Sequence, residues 1–200
     1  MKQTSKARMY SLALCGVLSA ISAVLQFLEF PLPFLIPSFI KFDFSDLPAL
    51  LAAFSLGPVY GAAVCLIKNL IHLTVTATGG VGELANFLVG ACFVLPAGIA
   101  YRFIHNKKGA VIGSVAGSVL AAVISFPVNY FITYPFYQNF MPIDDILAAY
   151  NGIFGGSFTL VGALLAFNLP FTLVKCLLVS LIVIIIYKPL SPLFHRFTRK

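Results

Sequence analysis

Two lysines stand inside long apolar runs, Lys68 in KNLIH and Lys175 in PFTLVK. A lysine near the centre of a bilayer costs about 2.5–3.5 kcal/mol on insertion scales, so it persists where an opposite charge or a ligand compensates it. Each of these lysines therefore marks an interior polar site. On a helix, residues four apart share a face, which puts His72 beside Lys68. Glu83 and Asn86 open the next apolar run in GELANF. Two expectations follow for this cluster: a Lys68–Glu83 ion pair, or polar groups that pair only to hold helices together.

Around Lys175, Thr172 lies three residues back on the same helical face, and Asn168 lies one further turn toward the start of the run. Asn129 and Thr133, four apart in PVNYFITY, have Tyr130 between them. Brought together, these residues offer amide and ammonium donors beside aromatic faces, which suits a flat heteroaromatic ligand with polar edges. The other reading makes the aromatics an interfacial belt and Asn129 an interhelical hydrogen bond. Phe39, in the greasy stretch before the second apolar run, joins the ligand candidates.

Enzyme chemistry finds little support. The chain has no GxxxxGK[ST] phosphate loop. His72, His105 and His195 are widely separated, and neither HExxH nor a paired-carboxylate spacing occurs within the apolar runs. Cys15, Cys65, Cys92 and Cys176 sit singly in separate apolar segments and read as packing residues. No metal site and no resident cofactor are expected.

The elements that must position these residues are membrane helices. Of 200 residues, 60% are hydrophobic and 10% charged, against roughly 25% charged in soluble domains. The net charge of +7 lacks the exposed basic face that nucleic-acid binding needs. Runs 9–30, 59–77, 84–104, 110–136 and 167–187 are each long enough to cross roughly 30 Å of hydrocarbon. A sixth, 46–56, reaches only about 16 Å as a helix.

Charge decides whether that sixth run crosses. Ten of the thirteen basic residues form three groups: Lys2, Lys6 and Arg8; Arg102, Lys107 and Lys108; Lys188, Arg196, Arg199 and Lys200. The positive-inside rule puts all three groups in the cytoplasm only if 46–56 also crosses. The expected fold is thus an all-α integral membrane protein of six transmembrane helices, N-in and C-in, forming a single membrane domain over residues 1–200. All six acids then fall at or near the outer face. Residues 31–45, apolar yet carrying three prolines, are expected to fold back as an outer lid between helices 1 and 2. Residues 141–166, with NGIFGGSF, are expected to form a second, only partly helical cap.

The first helix carries small residues every four positions, at Ser11, Cys15, Ser19 and Ala23, with Gly16 and Ala20 alongside. Such a stripe lets another helix approach closely, within the molecule or from a partner.

KFDFSDLPA from Lys41, GPVYG from Gly57, KNLIH, GELANF and PFTLVK together resemble the riboflavin-specific S-components of energy-coupling factor transporters. The resemblance covers residues 9–187. It implies a six-helix protein of the bacterial cell membrane that captures riboflavin from outside under the loop joining its first two helices. The implied partners are a membrane coupling subunit, docked on the stripe at Gly16, Ser19, Ala20 and Ala23, and two cytoplasmic ATPases whose work topples the S-component. Asn129 and Lys175 match polar positions around the family's ligand. Thr172 departs from the pattern, where asparagine is common, and offers fewer hydrogen-bonding atoms. Flavin mononucleotide, another vitamin such as thiamin or pantothenate, and a self-contained secondary carrier are the alternatives.

Overall fold

The computed structural model describes residues 5–198. Lys2, Arg199 and Lys200 lie outside the described residues, and of Lys188 and Arg196 only the backbone is described. Helix α1 (Ser5–Phe27) leads through a two-stranded hairpin, β1 (Phe30–Pro31) and β2 (Lys41–Phe42), to α2 (Asp46–Ser55) and α3 (Pro58–His72). Then come α4 (Val81–Phe103) and α5 (Lys107–Val128), which a π turn at Asn129–Thr133 joins to α6 (Tyr134–Tyr137). The cap helix α7 (Ile143–Phe154) and α8 (Leu160–Ala163) precede a second π turn at Leu164–Asn168, which runs into α9 (Leu169–Thr198).

Among the described residues, five helical segments are long and apolar enough to cross a membrane: Ser5–Phe27, Pro58–Val75, Val81–Phe103, Lys107–Tyr137 and Leu160–Tyr187. Their exposed faces are greasy and their inner faces small, as lipid requires. On α5, Val111, Val115, Val119 and Val123 are exposed, whereas Gly113, Ser114, Gly117, Ser118 and Ala121 are buried. The short helix α2 differs: eight of its ten residues are buried. A helix apolar on every side belongs inside protein, and α2 contributes Ala49, Leu50, Leu51, Ala52, Ala53 and Phe54 to the main core.

Glycines set the closest approaches. Gly57, at φ 116°, reverses the chain before Pro58 starts α3. A Cβ on Gly61 would fall 2.7 Å from the Ala53 Cβ, and one on Gly117 would fall 2.2 Å from the Phe93 carbonyl oxygen. The turn between α2 and α3 sits beside Arg102 and His105, and Phe54 packs on Tyr101 and Tyr187 with ring centroids 4.9 and 5.8 Å away. The basic end of α4 therefore meets the Ser55 end of α2.

Both π turns have the same cause. Each is followed by one residue and then a proline, Pro135 or Pro170. A proline lacks the N–H for the carbonyl four residues back and clashes with it. That carbonyl belongs to Phe131 or Ala166, the middle residue of each wide turn. Such bulges commonly mark functional stretches.

The segment expected to fold back does so as the hairpin, with Phe30 opposite Phe42 and Pro31 opposite Lys41. Ile36 at its tip is fully buried. The second cap is α7, ended by Gly155 at φ 64°, plus α8. The stripe on α1 divides. Ser11, Cys15, Ser19 and Ala23 are buried, with the Cys15 thiol against the Tyr60 carbonyl, so Ser19 and Ala23 are corrected from partner-facing to internal packing. Gly16 and Ala20 are exposed.

Gly117→Ala should cost about 1–3 kcal/mol, because the new methyl meets backbone that cannot yield. Gly152, where a Cβ meets nothing within 4 Å, supplies the control. Thermal unfolding in detergent should show a lowered midpoint for Gly117→Ala and none for Gly152→Ala.

Candidate ligand-binding site

The cavity lies between the hairpin and the helix ends below it, and has a volume of about 640 Å³. Its floor is an ion-pair network. Lys68 Nζ lies 2.6 Å from Asp46 Oδ1 and donates to Ser45 Oγ at 2.5 Å. Lys175 Nζ lies 2.7 Å from Asp43 Oδ2 and 3.8 Å from Asp46 Oδ2. Asp43 Oδ1 also accepts from the Ser45 backbone N–H at 2.8 Å and from the Ser45 hydroxyl. Two cations from α3 and α9 thus meet two anions at the foot of the hairpin and the start of α2, and the group as a whole is neutral.

Burial alone would raise the Asp43 carboxyl, but Lys175 and Lys68 outweigh it and hold the group below its ordinary value. A folded value below the unfolded one means that this stabilisation is complete above the ordinary carboxylate range and is lost as pH falls from that range through the lower, folded value.

A second cluster forms the mouth. His72 Nδ1 is 2.9 Å from Glu83 Oε1, which is held further by the Thr76 hydroxyl on Oε2 at 2.9 Å. Lys41 on β2 pairs with Glu29 at 2.5 Å, and Phe27 stacks on the His72 ring. The expected Lys68–Glu83 pair is therefore corrected. Lys68 turns toward Asp46, at the first turn of α2, and His72 one turn further along α3 takes Glu83. Two of the six acids are buried within the protein: Asp43 and Asp46 are 3% and 5% exposed.

Of the residues singled out from sequence, Phe39, Glu83, Asn86, Asn129, Thr133, Asn168, Thr172 and Lys175 line the cavity. Lys68 does not; it lies beneath, fully buried. Tyr130 stacks on Phe126 away from the lining. Asn86 and Asn129 have no side-chain hydrogen bond among the described residues, so both amides are free to meet a ligand. The Gln26 side chain gives its N–H to Asn69 at 3.0 Å and leaves a buried Oε1 unpaired at the cavity wall. Thr172 donates to the Asn168 carbonyl at 2.9 Å, so its hydroxyl has only lone pairs left for a ligand.

Sequence reasoning passed over Gln26, Asp43 and Asp46 as site residues. One buried and one half-buried ammonium need two anions, and KFDFSD, an acidic pair in an apolar stretch, held that signal. The aromatic wall adds Phe39, edge-on to Tyr134, Tyr137 and Tyr150 at 6.1–6.4 Å.

Residues 10–187 match the family described as the substrate-specific component of ECF transporters. The chain belongs to that family. This substrate-specific component is 35% identical over 181 residues to a protein named riboflavin transporter RibU from Staphylococcus aureus, with 90% of each chain covered. It is 29% identical over 184 residues to riboflavin transporter FmnP from Bacillus subtilis, covering 90% of this chain and 92% of that one. A solved structure described as the S component of a bacterial ECF transporter superposes with a TM-score of 0.73 at 32% identity, covering 93% of this chain and 98% of the other. As a member of this family, the chain is a transporter component rather than an enzyme.

Removing one partner of a buried ion pair costs about 3–5 kcal/mol, mostly for the charge left behind. Lys175→Met should therefore lower the unfolding midpoint in detergent more than the double variant Lys175→Met/Asp43→Asn does. Additive losses around that double-mutant cycle would show the two groups to be uncoupled.

Proposed function

We propose that this substrate-specific component binds riboflavin from the outer side of a bacterial cell membrane and delivers it inward with an ATP-driven ECF coupling module. The observation that carries the reading is the pair of free amides, Asn86 and Asn129, in one apolar-walled cavity with Lys175 and Thr172. A ring system with carbonyl and N–H edges satisfies such groups while its faces meet the apolar walls. The volume of about 640 Å³ falls within the roughly 300–1,000 Å³ of small-molecule sites. The relatives named riboflavin transporters give that ligand its identity.

In this reading the chain crosses the membrane six times with both ends inside, α2 being the sixth crossing, shielded from lipid by its neighbours. The α2–α3 turn beside Arg102 and His105 supports it, since the basic end of α4 belongs in the cytoplasm. The coupling subunit meets the exposed face of α1 at Gly16 and Ala20, where a Cβ on Gly16 touches nothing within 4 Å and Leu12, Val17, Ile21 and Val24 stand outward. Two cytoplasmic ATPases supply the energy. Ligand capture needs none, because the hairpin and the α7 cap already lie over the cavity in the chain by itself.

Titration of the detergent-purified protein with riboflavin should quench flavin fluorescence at one ligand per chain. Asn129→Ala should weaken binding roughly tenfold, the worth of one hydrogen bond, without lowering the unfolding midpoint. A folded wild-type protein that leaves riboflavin fluorescence unchanged, but is thermally stabilised by thiamin or pantothenate, would replace the flavin reading with one of those vitamins.

A further inference from the structure

Behind the outer wall of the cavity lies a closed ring of three hydrogen bonds. Tyr150, on the cap helix α7, is fully buried and donates its hydroxyl hydrogen to Asn168 Oδ1 at 2.6 Å. Asn168 Nδ2 donates to the Tyr134 hydroxyl oxygen at 3.2 Å, and the two hydroxyls bond to each other. A phenol has one hydrogen to give. Tyr150 gives its own to Asn168, so Tyr134 donates to Tyr150 and the ring runs in a single direction. Each bond polarises the next.

The ring consumes one N–H and one lone pair of the Asn168 amide. It leaves one N–H, on a side chain that lines the cavity. Tyr150 does not line the cavity itself, yet it touches three elements that do. Its ring is edge-on to Phe39 of the hairpin at 6.2 Å and stacked on Phe167 at 5.8 Å, and its hydroxyl reaches Tyr134. Apart from Tyr150, the fully buried side chain of α7 among the described residues is Ile146, 1% exposed, which has no polar group to orient anything.

We infer that Tyr150 is a positioning residue for ligand retention: it fixes the Asn168 amide so that the remaining N–H meets an acceptor oxygen of the ligand, and ties both outer caps over it. The inference rests on the flavin reading above and names a residue that never touches the flavin. Its consequence is kinetic. A group that holds the closed wall slows escape more than entry, as affinity differences among variants of one site generally fall in the dissociation rate.

The test measures riboflavin association by fluorescence quenching and dissociation by loss of bound radiolabelled riboflavin during a chase with excess unlabelled riboflavin, on detergent-purified full-length protein. Tyr150→Phe keeps the ring packing and removes only the hydroxyl. It should speed dissociation about tenfold, the equivalent of one hydrogen bond, with association within about twofold of wild type. Tyr134→Phe, which breaks the same ring elsewhere, should match it. In an Asn168→Leu background Tyr150→Phe should add nothing. Wild-type dissociation from Tyr150→Phe overturns the inference, and so does an effect that multiplies in full with that of Asn168→Leu, since Tyr150 would then act without the amide. Failure of the flavin reading shows separately, as wild-type protein that quenches no riboflavin.

Discussion

Two ammonium groups inside an apolar bundle, one fully buried and one at the cavity floor, must be neutralised within the protein, and the meeting of Lys68 and Lys175 with Asp46 and Asp43 organises much else in this molecule. Leaving any of the four unpaired would cost several kcal/mol. The requirement draws together α3, α9, the start of α2 and the foot of the hairpin, elements separated by up to 132 residues in the chain. Asp43 directly follows β2, so the pair it makes with Lys175 also settles where the hairpin lies. The cap over the cavity and the charge at its floor are parts of one arrangement.

The other walls follow from backbone constraints. Pro135 and Pro170 each force a wide turn in a long helix, and the turns fall where Asn129, Thr133 and Asn168 face the cavity. Gly113 and Gly117 let α4 and α5 touch backbone to backbone, which keeps the opposite side of the bundle tight. The molecule is thus closely packed away from the cavity and open at one end, where polar groups without protein partners collect. A binding component has use for that division: a rigid body carrying one site with unsatisfied amides.

Much of this was legible in the residues. The apolar runs matched the helices to within a few positions at most ends, because lipid imposes a length that hydropathy records. Lys68 and Lys175 announced an interior site by their cost alone, and eight of the ten proposed ligand residues line one cavity. The partners of the lysines were harder to read. Helical offsets relate neighbours on one helix, but Asp43 and Asp46 reach the lysines through extended chain whose path no periodicity encodes. The stripe on α1 was ambiguous for a different reason: residues at Cys15 and Gly16 lie about 100° apart on a helix, so a small-residue pattern cannot say which side meets the protein. The glycines of α5, spaced by four, were not read from the sequence and mark a close contact with α4. The ring of Tyr134, Tyr150 and Asn168 joins a cap helix to two wide turns, and no local pattern foretells it.

In the proposed binding mode the neutral floor stays intact while the free amides above it take the ligand. A crystal structure with riboflavin bound tests this most directly. A flavin ring is expected in the cavity within hydrogen-bond distance of the Asn129 amide, with the Lys68–Asp46 pair unchanged beneath it. A flavin bound elsewhere, or a Lys68 that has left Asp46 to meet the ligand, would contradict that binding mode.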